Sequence, residues 1–342
     1  MPLGTGLASQ VVVGEETTWA TAATPDHAYE FDTEGVAYIK NILQGTGLHA
    51  GGQYNRTARR VVSTVTGSGD VQMEHAFNKM GFWWKKNLGA ATTPSVVVTG
   101  AYKTVFTPAG LQGTGITYQK GVPETSDGTV IPLTFSGGKV GGWEFSVAMG
   151  AIATLKETLD FQTVSTATAL VTPSYVAGNG VFNFSQAVLK VGGTATTTSG
   201  VTSISGGTQV QTVINTYTLT GGNPMKVDRY GLGNAGLKKE QLENDYRSLG
   251  LALAGEFYNR TEFYDVFKAN TAQPVQLTFT GPFVTGTTPY SLDIILSSVF
   301  FDTADNSVGG PDVVPQSIGC TITDDATNNV IQVTTVNADS TI

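Results

Sequence analysis

Alternation with a period of two is the property that most narrows what this chain can fold into. In "WEFSVAM", Trp143, Phe145, Val147 and Met149 fall on one face, and Glu144, Ser146 and Ala148 on the other. After a break at Gly150 the same phase resumes at Leu155, Leu159 and Phe161. Successive side chains of a strand point to opposite faces, so this pattern belongs to strands with one buried side. "VQLTFTG" (Val275, Leu277, Phe279) and "SLDIILSSVF" (Leu292, Ile294, Leu296) repeat it. Residues 181–191 and 213–220 are rich enough in β-branched and aromatic residues to be strands too. The Gly/Thr/Ser run 191–207 between them reads as hairpin turns and mobile loops.

Helical periodicity is sparse. Residues 73–86 place Ala76, Phe77, Met80 and Trp84 on one side, and 261–268 do the same with Phe263, Val266 and Phe267. Asn259 followed by Glu262 has the spacing of a capping box. Residues 237–249 are poorly amphipathic and read equally as a helix or as a loop feeding the next strand. Each half of the chain therefore has one clear short helix, entered from a strand through a glycine corner. Sliding one corner onto the other pairs Arg59 with Arg247, Gly67 with Gly255 and Glu74 with Glu262. The expectation is a mainly β chain that holds two copies of one β unit, with Gly67, Glu74, Gly255 and Glu262 as the corner residues. The units span 27–165 and 166–308, between an N-terminal arm (1–26) and a C-terminal strand or arm (309–342). The alternative is coincidence, since strand–glycine–helix corners are common.

Composition restricts the function. Charged residues make up only 13% of 342 positions, so much of the surface is neutral or apolar. A free monomer usually keeps more charge for solubility, whereas a subunit that buries several faces against neighbours need not. The net charge of −8 argues against a grip on nucleic acid, which needs a basic stripe to neutralise phosphates. It leaves room for a wall past which DNA slides. Cys320 is the single cysteine, so no intrachain disulfide and no cysteine metal cage can form. The N-terminus lacks the basic start and apolar core of a signal peptide. No apolar run reaches the length of about 18 residues that a membrane helix needs.

No stretch carries an enzyme's chemistry. "GLGNAG" (residues 231–236) fits a dinucleotide fingerprint as a string, but "GGNPMKVDRY" before it is not a buried parallel strand, so it reads as a glycine-rich loop. His27, His49 and His75 lie far apart and have no cysteine or carboxylate cluster around them. "DTADNS" (302–307) lacks the spacing and the glycine of a calcium loop. No catalytic, cofactor-binding or metal-binding residue is nominated. Two charged patterns remain. In "YEFDTEG", Glu30, Asp32 and Glu34 alternate with Tyr29, Phe31 and Thr33, as on a strand with three carboxylates on one face. That face is either simply solvated or a negative wall that repels phosphate. Arg56, Arg59 and Arg60 follow the glycine-rich run 45–52, on either a solvated loop or one that meets an acidic neighbour.

Several blocks, in order, resemble the major tail tube proteins of long, non-contractile bacteriophage tails. They are "VVVGEETTWATAATPDHAYEF", "ARRVVSTVTGSGDVQMEHAFNKMGFWWKKNLGA", "FSGGKVGGWEFSVAMGAIATLKETLDF", "LALAGEFYNRTEFYDVFKANTAQPVQLTFTG" and "LDIILSSVFFD". They cover most of residues 10–305. The resemblance implies a β-sandwich tube fold with a docked helix, whose inner sheets join those of neighbours into a barrel. It implies a structural virion protein, not an enzyme, with no cofactor, located in the tail and assembled in the host bacterial cytoplasm. Rings stack into a hollow tube through which double-stranded DNA passes unbound, with no membrane involved. Partners are other copies of the chain and other tail proteins: tape measure, tail tip and terminator. If each chain holds two tube folds, three chains make a ring of pseudo-sixfold symmetry; otherwise six do. Glu30, Asp32, Glu34 and Asp70 are then candidates for the lumen, and Arg56, Arg59 and Arg60 for contacts between rings. The loops at 45–60 and 192–207 and both terminal arms are expected to order on stacking, and the C-terminal run to add a strand to a neighbour's sheet. A β-sandwich adhesin that binds a receptor or glycan, for which Trp83, Trp84 and Trp143 could supply an aromatic patch, and a capsid decoration protein are the alternatives.

Overall fold

A computed structural model describes residues 4–304 and 306–342 and is mainly β. Its first half contains β1 (Gln10–Glu16), β2 (Ala37–Gln44), β3 (Arg60–Glu74), helix α1 (Gly81–Leu88), β4 (Ala101–Pro108), β5 (Gly115–Pro123), β6 (Val130–Ala148) and β7 (Thr154–Phe161). The second contains β8 (Ala187–Val191), β9 (Ile214–Gly222), β10 (Ser248–Glu256), helix α2 (Tyr264–Ala269), β11 (Gln273–Thr285), β12 (Thr288–Thr303), β13 (Pro315–Ile322) and β14 (Ile331–Asn337). Shorter strands sit between them.

Every pairing among these strands is antiparallel. In the first half the order across the sheet is β1–β5–β6–β7–β3–β2. In the second it is β8–β11–β12–β13–β10–β9. The C-terminal half of β6 then pairs with β9 and joins the halves, with Gly142 opposite Gly222, Phe145 opposite Leu219 and Ala148 opposite Thr216. β14 links β12 to β4. The ladder branches but never returns to its start, so the large sheet of one chain is open, not a closed barrel.

The alternation explains the core. Met73, Leu155, Phe145, Leu219, Leu251, Cys320 and Phe301 stand in one row across seven strands, and none is more than 7% exposed. Each large apolar side chain in such a row contributes roughly 1.5–3 kcal/mol by leaving water. β6 changes partners part-way. Its ladder with β5 slips between Phe135 and Gly138, where Gly137 takes a φ of 68° that glycine adopts without strain. Beyond this bend β6 faces a second layer. Phe145 of β6 meets Phe279 of β11 edge-on at 5.8 Å between ring centres, although the two strands do not pair. Met149, expected on the buried face, is 70% exposed because the chain turns after Ala148.

The helices are shorter than the periodicity predicts. β3 continues to Glu74, and the next amides bond across the sheet: His75 donates to the Ala153 carbonyl and Phe77 to that of Gly180. Only after Lys79, at φ 72°, does α1 begin. Once formed, α1 is buried along most of its length, and Phe82, Trp83 and Trp84 are at most 2% exposed. α2 buries none of its own residues; Phe263, just before it, is the anchor, with its ring 5.4 Å from that of Phe301. Asn259 accepts from the Thr261 and Glu262 amides, but Glu262 turns away, so the capping box is half made. Residues 237–247 form a loop with a two-residue strand at Leu242–Glu243 and lead into β10. Among the described residues no helix is long and apolar enough to cross a membrane.

The expected arms are largely built into the fold. Val11, Val12 and Val13 of β1 are at most 1% exposed, between β5 and the strand His27–Tyr29. The C-terminal run forms β14 inside this chain's own sheet, where Ile331 and Val333 are buried. The run 191–207 is a hairpin, Thr194–Thr198 with Val201–Ser205, turned by Ser199 and Gly200 at positive φ. It is pinned where the Gln332 carboxamide accepts from the Thr202 amide and donates to the Thr202 carbonyl.

Phe145 is the residue on which both layers converge, since it also touches His75, Trp84 and Tyr217. Phe145→Ala is expected to cost about 3–5 kcal/mol, seen as a lower denaturant midpoint in urea unfolding followed by tryptophan fluorescence.

Candidate assembly surfaces

On β9, β10 and β13 the face of the row opposite the core carries small side chains. Thr218, Ala252 and Gly319 stand abreast on β9, β10 and β13. With Thr216, Ala254 and Ser317 they line a shallow concavity. The charged residues are few. Asp70 of β3 is held 2.8 Å from Lys156 of β7 and accepts from the Thr158 hydroxyl at 2.8 Å. The Lys156 hydrogen bond holds the Asp70 carboxyl below its ordinary range. Glu144 of β6 and Asp302 of β12 are exposed. Asp302 accepts from the Thr321 hydroxyl at 2.7 Å.

Glu30, Asp32 and Glu34 do not share a strand face. The chain changes partners here, from β1 at His27–Tyr29 to β3 at Thr33–Glu34, so the pleat is interrupted. Glu34 turns inward to Lys120 of β5 at 2.9 Å, and both side chains are almost covered, at 13% and 14% exposed. Glu30 and Asp32 instead gather with Glu74 around a cleft that also holds Lys79 and Tyr175. Partial burial, with Asp32 and Glu30 nearby, pushes the Glu74 carboxyl up.

The corner residues do not superpose as the sequence slide suggests. Gly67 sits mid-strand against Phe135 and Phe161, whereas Gly255 lies at the end of β10 against the Val213 carbonyl. Glu262 caps a turn, accepting from the amides of Gln211 at 2.7 Å and Thr212 at 3.0 Å. The strand leading to each helix ends at Glu74 in one half and Glu256 in the other. The slide matches letters on strands of unequal length, 15 residues and 9.

The arm between β2 and β3 carries Arg56 and Arg59, and Arg60 opens β3; all three are exposed and without an ion-pair partner among the described residues. Sequence reasoning missed its stem. Tyr38, Ile39, Ile42, Leu43, Val61 and Val62 are 39–54% exposed on a hairpin with apolar residues on both faces. The signal was legible in "YIKNIL" and "RRVV", where alternation lapses. A two-stranded ribbon is marginal on its own in water, and exposed apolar patches of this size are uncommon on monomers. Among the described residues β2 also has no partner on its outer edge. At the far end of the row, β12 has none among the described residues beyond Val299 on the side where β11 stops. One chain thus presents an open strand edge at each end.

Against known proteins, a family model described as phage tail tube protein matches residues 6–322. The chain belongs to that family. No curated protein matches it. The family is one of structural tail proteins, which places this tail tube protein in the phage tail.

The residues weighed for other chemistry have structural settings in this tail tube protein. "GLGNAG" follows no buried strand; it is a turn that clasps the first half, with the Gly236 carbonyl accepting from the Val65 amide at 3.1 Å. Beside it Lys238, 1% exposed, meets Asp160 at 2.7 Å. His75 is buried, accepts from the Trp84 indole at 2.9 Å, and has its pKa pushed down to about 4 by burial. Cys320 is buried, and burial pushes its thiol up to about 12. Trp83, Trp84 and Trp143 are core residues. Among the described residues no three His, Cys, Asp or Glu side chains are grouped to hold a metal ion.

Alternation also concealed a buried acid. Glu157 lies in phase with Leu155 and Leu159, is fully buried, and accepts from the Asn87 amide nitrogen at 2.8 Å. Its second oxygen has no partner among the described residues, and desolvation raises its pKa well above the ordinary value of 4.5. The folded state therefore holds a proton that the unfolded chain releases, so stability falls as pH rises from about 4.5 towards the folded pKa. Glu157→Gln is expected to raise stability at neutral pH, with the gain shrinking as pH falls to about 4.5, checked by urea melts at several pH values. A similar expectation concerns the Lys120–Glu34 pair: Lys120→Met leaves a nearly buried carboxylate unpaired and should cost about 3–5 kcal/mol.

Proposed function

We propose that this chain holds two copies of one β-sandwich tube unit, and that copies of the chain close into rings which stack as the hollow tail tube. The observation that carries the proposal is the joint between β6 and β9 together with the two open edges. The two halves use the same six-strand order, and inside the chain the β6 edge of one unit is covered by the β9 edge of the next. The edges left over, on β12 and β2, are the same two edges seen from the other side. A heterologous contact of this kind repeats until it closes, and closing it removes the exposed strands that otherwise invite aggregation. Three chains then give a ring of six units with pseudo-sixfold symmetry.

The open face of the seven-strand row is the lumen wall in this account. Its Thr, Ser, Ala and Gly side chains offer phosphate no cationic grip, and its one lysine on that stretch, Lys156, is neutralised by Asp70. Asp70 and Glu144 belong to that wall, with Glu30, Asp32 and Glu74 at its rim. DNA passes without specific binding. The arm that carries Arg56, Arg59 and Arg60 reaches the adjacent ring, where its apolar stem is covered. Tape measure, tail tip and terminator proteins are the other partners, and assembly takes place in the host cytoplasm. The role is structural, not catalytic. The adhesin reading loses its support because its three tryptophans are at most 4% exposed.

Negative-stain electron microscopy with light scattering at rising concentration tests the proposal. Closed rings or hollow tubes with a regular repeat, and a ring mass of three chains, are expected; a single chain at every concentration counts against it. In assembled particles, Glu144→Lys is expected to leave the tube intact and slow DNA ejection. Unchanged ejection would remove Glu144 from the lumen.

A further inference from the structure

We infer that successive copies join with Asp302 of one opposite Lys40 of the next, Thr303 opposite Ile39, and Ala304 opposite Tyr38. The inference rests on the ring reading above and supplies the register of its contact. It follows from carrying the joint inside the chain over to the open edges.

Two independent landmarks align the halves. β3 and β10 end at Glu74 and Glu256. With those ends matched, Thr66 falls on Ser248 and Gly69 on Leu251. The ladders then equate Leu159 with Cys320, which stand opposite Gly69 and Leu251, and Val140 with Phe301, which stand opposite those in turn. The second landmark agrees: each of these ladders slips at that point, between Val140 and Gly142 in one half and between Phe301 and Thr303 in the other. The burial pattern agrees as well. Val140 and Phe301 are buried, the two residues after each are less so, and Trp143 and Ala304 are buried again.

The partner strand follows in the same way. Ile39 stands opposite Thr66 and Gly222 opposite Ser248, so Ile39 is the counterpart of Gly222. In the internal joint Gly142 faces Gly222, Trp143 faces Gly221, and the Asn223 amide donates to the Gly141 carbonyl at 2.9 Å. Transferred to the open edges, these become the three pairs named above.

Two features not used in the alignment fit the result. Lys40 and Asp302 are both exposed, carry opposite charge, and have no ion-pair partner among the described residues. Inside the chain, Trp143 is large and sits over Gly221, where a methyl group would overlap its ring. Across copies the sizes are exchanged: Ala304 is small and Tyr38, 42% exposed, is large. Each joint therefore pairs one bulky with one small side chain.

Cysteines at Thr303→Cys and Ile39→Cys in one chain test the register. Oxidation of assembled particles is expected to link copies covalently into a ladder on a non-reducing gel. Thr303→Cys with Asn41→Cys, two residues out of register, is the control. Preferential linking of that control pair would overturn the register while leaving the tube intact. A charge reversal keeps the test independent of cysteine geometry. Lys40→Glu or Asp302→Lys alone should raise the concentration needed for assembly about tenfold, and the two together should restore it. A double variant as defective as the singles, with unchanged circular dichroism, also contradicts the pairing. Failure of the unmodified chain to form any ring would remove the ring reading itself and this register with it.

Discussion

The structure depends on the ladder between β6 and β9. It makes two half-sheets one, and continues the apolar row from Met73 through Phe145 and Leu219 to Phe301 without a break. A strand edge is a set of unmet donors and acceptors, and buried backbone groups are almost always paired. Inside the chain that requirement is met by the other half. At the ends of the sheet it is not met, and the low charge of the chain leaves little to keep those edges apart.

The same constraint accounts for the composition. One face of the sheet is packed, and on β9, β10 and β13 the open face carries small, neutral Thr, Ser, Ala and Gly. Charge is used where a buried backbone or carboxyl must be held. Lys85 and Lys86 at the end of α1 both grip Glu15 of β1, at 2.7 and 3.0 Å. Lys238 holds Asp160 and fixes the clasp loop over the first half. Few charged residues are left to cover the β2–β3 arm, whose apolar stem is exposed.

Much of this was legible in the sequence, and the misses have physical causes. The alternation at Trp143, Phe145 and Val147, and at Leu277 and Phe279, found strands and their buried faces because a one-sided strand has no other pattern. It passed over Glu157, since alternation marks polarity and not the protonation that lets a carboxyl sit in a core. The helix over 73–86 was drawn too long because side-chain spacing is blind to amides already engaged across a sheet, as those of His75 and Phe77 are. Glu30, Asp32 and Glu34 were read as one strand because partner changes leave no mark in the residues. The two halves share a six-strand order, which sequence spacing cannot express, so a letter-by-letter slide does not reach it.

Hydrogen exchange on free and assembled protein tests the central claim most directly. Amides of the β6–β9 ladder are expected to be protected in both states. Those on the outer edge of β2 should exchange fast in the free chain and slow by orders of magnitude on assembly. Protection confined to the arm at residues 45–60, with the β2 edge exchanging as fast in tubes as in free protein, would contradict it.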